Sequence, residues 1–521
     1  MSERKYLTAP DPDQKSFPSG IPFIIGNELA ERFSFYGMNA ILAVFLTGYL
    51  LDANGDSAYM NDEQATELVH LFKASAYFFP IIGAMVADIF WGKYKTILLI
   101  SLMYCLGHGS LALMDLGPET GMWDMKPFLY AGLILIAVGA GGIKPCVSAH
   151  VGDQFGEGNK DRLAQIFNWF YFSINTGAAT SMIATPWLLE HTGPALAFGV
   201  PGILMGIATL MFWLGRNRFV HVPASGWTKF KEETFSQDGK RAIKNLAPLF
   251  LIFVACFWAI FDQTASTWVL QAQEMDRWIG DFEVLSSQLQ SVNAFLIMAL
   301  IPVFAFIIYP LINIVYKLTP LRKIGIGLFL GLLAAVISAL IQVSIESKSP
   351  AAAAAFIQAL NDAGIHAEGS LAEIAITARD AGWTNVQIRP YLADMPHMIW
   401  QILAYVVLTS SEIMVSIVCL EFAYTQSPLK MKSFIMGVYF LGVSFGNLFV
   451  AALNKGLDSF RDDSGNTLLE GASYNWFFAG LMGLATVAYV LWAKTYKGNT
   501  YIQGVDNITH AIAEAEGTDA R

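Results

Sequence analysis

Charged residues and cysteines are both scarce in this chain of 521 residues. Only 14% of its residues are Asp, Glu, Lys or Arg, whereas a soluble globular domain carries about 25%. Hydrophobic residues make up 55% of the chain, which excludes an ordinary soluble enzyme and favours a polytopic membrane protein. The four cysteines, Cys105, Cys146, Cys256 and Cys419, lie in apolar stretches without CxxC or CxH spacing, so a zinc module or a disulfide framework is excluded.

Positive charge is also in short supply, because the formal net charge is −10. This balance disfavours nucleic acid as a partner. The eight histidines show no HExxH spacing, and no catalytic set is evident, so a membrane-embedded enzyme is disfavoured. We expect no metal, no cofactor and no catalytic residue. The first apolar run is too long, and carries too many charges, for a cleavable signal.

Long apolar runs dominate what is present. A membrane-spanning helix needs about 20 such residues. Twelve stretches qualify: 21–51, 65–90, 95–115, 126–150, 162–189, 195–214, 244–272, 287–316, 321–345, 397–424, 433–454 and 474–494. An even count places both termini on one side of the membrane. That side carries 22 Lys and Arg residues against seven on the other, which predicts that both termini are cytoplasmic.

Six spans precede the basic stretch 215–243 and six follow it, an arrangement typical of the major facilitator fold. We therefore predict an all-α membrane protein with twelve transmembrane helices in two six-helix bundles. The predicted parts are a cytoplasmic N-terminus 1–20, an N-terminal bundle 21–214, a cytoplasmic linker 215–243, a C-terminal bundle 244–496 and a cytoplasmic tail 497–521. The second bundle contains an insertion, 346–396, predicted as an external helical cap; the alternative is a disordered linker.

Ionisable residues inside the first span are the main functional signal. Glu28, Glu31, Arg32, Tyr36 and Asn39 fall on one helix face. An ionisable residue there costs at least about 2.5–3.5 kcal/mol on insertion scales, so these side chains are expected to face a polar cavity. A static ion cluster that fixes helix packing is the structural alternative.

Two further spans also carry buried charge. Lys144 in span 4 is level with Glu28, so an ion pair between them across the cavity is feasible. Span 2 places His70, Lys73 and Tyr77 on one face, and a histidine is readily switched near neutral pH. The structural alternative for His70 is an interfacial histidine bonded to a loop.

The remaining candidates lie in later spans: Tyr171 and Asn175 in span 5, Trp258 and Asp262 in span 7, Asn293 in span 8, and Glu412 in span 10. Glu412 is expected near the midplane, whereas Glu421 is predicted to be a surface or gate residue. An aromatic side chain such as Trp258 or Tyr171 is, on its own, more often packing than ligand, and its depth beside charges makes the two interpretations about equal. A cation in one bundle and an anion in the other would hold a zwitterion with an amide middle, which describes a short peptide.

Several motifs in order resemble the proton-coupled oligopeptide transporter (POT/PTR) family of the major facilitator superfamily. Residues 28–37, ELAERFSFYG, are close to the family's ExxERFxYYG. The other matches are GAMVAD at 83–88 with GK at 92–93, GGIKP at 141–145 with GDQF at 152–155, FYFSINTG at 170–177, FWA at 257–259, FDQ at 261–263, and Ser411-Glu412. The resemblance covers roughly 20–496.

The resemblance implies import of di- and tripeptides driven by protons, which are the coupling ion. It assigns proton coupling to Glu28, Glu31, Arg32, Lys144, His70 and Asp262. It assigns peptide binding to Tyr36, Tyr77, Tyr171, Asn175, Trp258, Asn293 and Glu412, with the termini held between Lys144 or Arg32 and Glu412. The implied partners are peptides and membrane lipid, and we expect a functional monomer in the cell membrane, the inner one in a Gram-negative bacterium.

The chain also departs from the family pattern. Phe35 stands where a second tyrosine is common, and Asn39 stands where an arginine usually pairs with the acid at Asp262 as an outer gate. Asn39 and Asp262 remain the predicted gate, and Lys73 is a candidate substitute for the arginine. The alternatives are transport of nitrate, a drug or a nucleoside by the same fold, and a non-transporting receptor.

Overall fold

The computed structural model describes residues 6–11, 13–156, 158–159, 162–224, 226–234, 236–426, 432–461 and 467–496. The predicted tail 497–521 and the first residues of the predicted N-terminus, 1–5, lie outside this range. Within it, eleven helices are long and apolar enough to cross a membrane. Helix Leu163–Thr192 coincides with the expected span 162–189 but is not among the eleven, so the count of twelve stays a prediction.

The first bundle is built from six long helices and one short turn of helix. In chain order these are α1 Ile21–Gly48, α2 Asp62–Val86, α3 Lys93–Leu113, the short α4 Leu116–Thr120, α5 Met125–Asp153, α6 Leu163–Thr192 and α7 Pro194–Leu214. Local sequence sets the starts of these helices. Asn61 caps α2 by accepting from the Gln64 amide at 2.8 Å, and two acids follow in the first turn, where the helix dipole favours them.

The second bundle follows a linker that contains α8 Trp227–Thr234 and the start of α9 Gln237–Pro248. Its remaining helices are α10 Ala255–Phe261, α11 Thr267–Gln273, α12 Ser291–Val303, α13 Tyr309–Val315, α14 Pro320–Asp362, α15 Leu371–Asp380, α16 Asn385–Leu392, α17 Ile399–Glu412, α18 Val418–Thr425, α19 Lys432–Ser459 and α20 Ala472–Thr495. A small antiparallel hairpin, β1 Trp278–Ile279 and β2 Phe282–Glu283, joins α11 to the helix that follows.

Several membrane helices change their winding partway. A π-helical turn at Leu249–Val254 links α9 to α10, another at Phe304–Ile308 links α12 to α13, and a third at Ile413–Ile417 links α17 to α18. Between α10 and α11 the chain forms a 3₁₀ turn, Asp262–Ala265. Such irregular turns release backbone groups from the regular ladder and occur often at functional sites.

Small residues let helices of the first bundle approach closely. A Cβ on Gly83 of α2 would lie only 2.5 Å from Gly142 Cα of α5, and a Cβ on Gly141 of α5 would lie 2.4 Å from Phe79 Cβ of α2, so glycine is needed on both helices at this crossing. The same α5 segment carries Lys144 two residues further on. The close crossing therefore brings the side chains of α2 directly against the lysine.

Helix α14 continues well beyond the membrane-spanning stretch expected to end at residue 345. Alanine has the highest helix propensity of any residue type, and the alanine run 351–355 lies in the part of the helix that continues to Asp362. Together with α15 and α16 this extension forms a unit, here called the cap, with its own buried core. Phe356 and Tyr391 stack at 4.4 Å within it. We call the side of the molecule that bears the cap the cap face, and the side that bears linker 215–243 the linker face.

Candidate functional site

The acids and the arginine of α1 form one buried cluster. Arg32 Nε lies 2.9 Å from Glu28 Oε1, and the same guanidinium pairs with Glu31. Glu28, Glu31 and Arg32 are 3%, 0% and 5% exposed. The i, i+3 and i+4 spacing of the sequence is what places these groups on one face. Two carboxylates thus share one cation away from water.

Lys144 does not form the expected ion pair with Glu28. Its Nζ lies 4.1 Å from the ring centre of Phe35 and 4.2 Å from that of Tyr77. Among the described residues this Nζ finds no hydrogen-bond partner. Tyr77 comes from α2, which crosses α5 closely, and Phe35 comes from α1; together their rings occupy the space around the ammonium. Each cation–π contact contributes about 0.5–2 kcal/mol. The charges of Glu28 and Glu31 remain near enough to act on it.

The acid on the seventh span pairs with a lysine and not with Asn39. Lys73 Nζ lies 2.8 Å from Asp262 Oδ1, and the two side chains are 7% and 5% exposed. Lys73 also donates to the Asp262 carbonyl at 3.3 Å. Asn39 is buried, and its Oδ1 has no partner among the described residues. A lysine from α2 therefore occupies the place predicted for the gate residue on α1, because its long stem reaches the 3₁₀ turn that carries Asp262.

His70 belongs to the same network. Its Nδ1 lies 2.8 Å from Asn447 Oδ1 and its Nε2 lies 2.9 Å from Ser266 Oγ. A carbonyl oxygen only accepts, so Nδ1 donates, and the neutral ring accepts from the serine. Asn447 Nδ2 in turn donates to Asp262 Oδ2 at 2.6 Å. His70 is 0% exposed and its partners lie on the second bundle, so it joins the two bundles.

Glu412 stands at the end of α17, where the π-helical turn begins. Its Oε2 accepts from Asn293 Nδ2 at 2.9 Å, and the same amide donates to Thr409 Oγ1 at 3.0 Å. Its carboxylate is close enough for its charge to act on the hydroxyls of Tyr36 and Tyr171. The structure thus brings an anion of the second bundle near two tyrosines of the first.

The other predicted pocket residues surround these charges. Tyr171 is 43% exposed and its carbonyl accepts from the Asn175 side chain one turn later, at 2.9 Å. Trp258 Nε1 donates to the Tyr439 hydroxyl at 3.3 Å, and its ring lies 6.3 Å from that of Tyr77. Glu421 is exposed, as expected for a surface residue.

Polar contacts join the two bundles between the Lys73 level and the cap face. Four of them involve charged side chains of α19 and its end: Asn61 and Gln64 donate to Asp458 at 2.8 and 3.1 Å, Lys455 lies 3.3 Å from Glu67, and Arg461 pairs with Glu63. Two others end on backbone carbonyls: Ser444 donates to that of Ala74 at 2.8 Å, and Gln290 donates to that of Ala40 at 3.0 Å. These contacts and the Lys73–Asp262 pair close the cap face.

Sequence reasoning missed the face of α19 that meets α2. Ser444, Asn447 and Asp458 are spaced i, i+3 and i+14, so this helix face was visible as polar residues in an apolar span. Residues 442–446 also spell GxSxG, a pattern that marks the nucleophile of many hydrolases. Ser444 lies inside a helix, is 4% exposed and donates to a backbone carbonyl, so it is not an exposed nucleophile.

Comparison with known proteins identifies what the chain is similar to. A family model described as the POT family matches residues 94–235 and 224–467. Solute carrier family 15 member 1 of Homo sapiens is 35% identical over 384 residues, covering 64% of this chain and 53% of that protein. Peptide transporter 3 of Caenorhabditis elegans is 35% identical over 377 residues, covering 64% of this chain and 52% of that protein. The chain spans about half the length of the curated relatives it matches.

A solved structure confirms the fold. It is the crystal structure of an auto-inhibited POT family peptide transporter, 32% identical, with a TM-score of 0.72; the match covers 94% of this chain and 99% of that chain. The prediction of a multi-pass, all-α membrane protein with the major facilitator arrangement is therefore confirmed, and the count of twelve helices stays a prediction.

Proposed function

Since the chain belongs to the POT family, we propose that it is a proton-driven symporter that moves di- and tripeptides across a membrane by alternating access. Relatives named as peptide transporters support this substrate class. The observation that carries the proposal is the division of buried charge: a lysine in one bundle that forms no ion pair with a described residue, and a glutamate held by an amide in the other. Both termini and the linker face are assigned to the cytoplasm, because 22 basic residues flank that side.

The peptide is proposed to lie between these two charges. Its carboxylate binds Lys144, assisted by Arg32, and its ammonium binds Glu412. Lys144 rests on two aromatic rings, a contact worth less than a charge-assisted hydrogen bond in a dry site, so a carboxylate is a better partner. The six pocket residues around them, Tyr36, Tyr77, Tyr171, Asn175, Trp258 and Asn293, offer hydroxyls, amides and ring faces for the peptide bond and side chains.

Proton coupling is proposed to act through the α1 cluster. Because Arg32 is shared by Glu28 and Glu31, protonation of one carboxylate weakens its pairing with the guanidinium. It also removes a negative charge that acts on Lys144. Both cations then become better ligands for the peptide carboxylate. Each proton that enters down a membrane potential contributes about 2.3 kcal/mol per 100 mV, which can concentrate the peptide.

The structure is proposed to represent the state closed to the outside. The Lys73–Asp262 pair and the contacts of α19 with α2 seal the cap face, which the charge distribution assigns to the exterior. Release of peptide and protons then occurs toward the linker face. Rocking of the bundles about the midplane site exchanges this state for the outward-open one.

Uptake into proteoliposomes tests the proposal. We expect Glu31→Gln to abolish dipeptide uptake driven by a pH gradient and to leave counterflow exchange intact, because a permanently neutral side chain mimics the protonated state. Glu232→Gln, at an exposed position of α8, is the matched control and retains both activities. Gradient-driven uptake that survives Glu31→Gln removes this residue from coupling, and failure of dialanine to compete for uptake rejects the substrate class.

A further inference from the structure

The cap extends from the second bundle but also contacts the first. We propose that it is a latch, which ties the two bundles together at the cap face and detaches from the first bundle in each transport cycle. The proposal rests on the proposed function, because a latch requires bundles that part. No assigned site residue lies in the cap.

The cap is built onto the second bundle through apolar packing. Ile341 and Ile345 of the membrane part of α14 share one buried core with Phe356, Ile374 and Leu392 of the cap. Its loop is also fixed from within, since Lys348 Nζ donates to the Asp394 carbonyl at 2.7 Å. These contacts make the cap move with the second bundle as one body.

The cap meets the first bundle through a few polar contacts. Asn385 Nδ2 donates to Glu190 Oε1 at 3.2 Å, and the Tyr59 hydroxyl donates to Asp380 Oδ2 at 3.4 Å. Glu190 is itself held by the Tyr49 hydroxyl, which donates to Oε2 at 3.2 Å.

Cavities on both sides of the contact between the cap and the first bundle limit the area of that contact. One cavity of about 520 Å³ lies between Tyr49, Glu190, Arg277 and the cap residue Arg379, and another of about 640 Å³ lies between Thr66, Arg461 and the cap residue Glu373. A fully packed interface would have no such voids. The cap is thus joined to its own bundle by a packed core and to the other bundle by separable hydrogen bonds, the asymmetry that a latch needs.

A reversible cross-link tests whether the latch must open. A Cβ at Gly48 would lie 3.5 Å from Ile376 Cδ1 and 3.8 Å from Cγ1, so cysteines at these two positions are close to disulfide range. With the native cysteines replaced by alanine, we expect oxidised Gly48→Cys/Ile376→Cys to lose at least 90% of peptide counterflow and to regain it with dithiothreitol. The single-cysteine variants serve as controls. Loss of two free thiols verifies the bond, and transport that continues through the bonded protein overturns the latch.

Loosening the latch tests it in the other direction. Tyr59→Phe with Asn385→Ala removes two hydrogen bonds, each expected to shift the closed-to-open ratio by about 2- to 10-fold. The readout is the distance between spin labels on Ser57→Cys of the first bundle and Leu468→Cys of the second, both exposed. Val386→Ala, at a 67% exposed cap position, is the matched control. A distance distribution unchanged from the parent refutes the latch. This measurement needs no transport, so it separates failure of the latch from failure of the proposed function.

Discussion

Removal of Lys73 is expected to open the cap face. Lys73→Met keeps the length and apolar stem of the side chain but takes away the charge that faces Asp262 at 2.8 Å. Asp262 then retains the Asn447 amide at 2.6 Å but loses its cation. The two side chains belong to different bundles, so the loss falls on the closed state; in an open state water hydrates the carboxylate.

The size of the effect follows from burial. Both side chains are under a tenth exposed, and removing one partner of a buried pair costs about 3–5 kcal/mol. At 1.4 kcal/mol per factor of ten, the closed state loses more than about 100-fold in population relative to the open one. Asp262→Asn alone leaves a buried ammonium and should act similarly. The double variant removes both charges and should recover much of the closed population.

Distances between spin labels on Ser57→Cys and Leu468→Cys, in a background without native cysteines, provide the assay in lipid nanodiscs. We expect a long-distance population to appear in each single variant and to shrink in the double variant. Ser75→Ala, at a half-exposed α2 position two residues from Lys73, controls for substitution in this helix. A folded Lys73→Met protein with the parental distance, or a double variant as open as the singles, would refute the reasoning.

Three other outcomes test the site and its scaffold. Glu412→Gln should weaken binding of a free-amine dipeptide by about 10- to 100-fold and barely affect its N-acetyl form, as measured by competition; equal losses reject the clamp. Lys144→Gln should likewise penalise a free carboxylate over a C-terminal amide, and a uniform loss would count against its role. Gly83→Ala should destabilise by about 1–3 kcal/mol and lower the thermal midpoint, because its Cβ meets Gly142, whereas Gly109→Ala, with open space around it, should not.

Helix patterning explains why the grouping on α1 could be predicted. Glu28, Glu31 and Arg32 are neighbours on one helix, and their relative geometry depends only on 3.6 residues per turn. The sequence therefore contained the information for this cluster. The spans were readable for the same reason, since the length of an apolar run is a local property.

Contacts between helices depend on crossing angles and side-chain reach, which local patterns do not contain. Matched depth suggested Lys144 beside Glu28, but Phe35 of α1 and Tyr77 of α2 lie against the lysine, and the close glycine crossing of α2 and α5 holds the second of these rings there. Matched depth also suggested Asn39 beside Asp262, but the long side chain of Lys73 pairs with Asp262 instead. The depth of a residue in the membrane excludes partners at other depths, but it does not determine which of the residues at the same depth are in contact.

The contrast between the two lysines links the structure to the proposed cycle. Lys73 has a carboxylate partner across the bundle interface, so its charge stabilises one arrangement of the bundles. Lys144 rests on two ring faces and has no hydrogen-bond partner among the described residues, so a carboxylate that arrives from outside the protein can pair with it directly. A transporter needs both kinds of site. Separating an ion pair between the bundles sets the free-energy cost of opening, and binding of substrate to an incompletely compensated charge can offset that cost. If a peptide carboxylate supplies the missing partner of Lys144, then occupancy and bundle movement are coupled through charge, without requiring direct contact between peptide and gate.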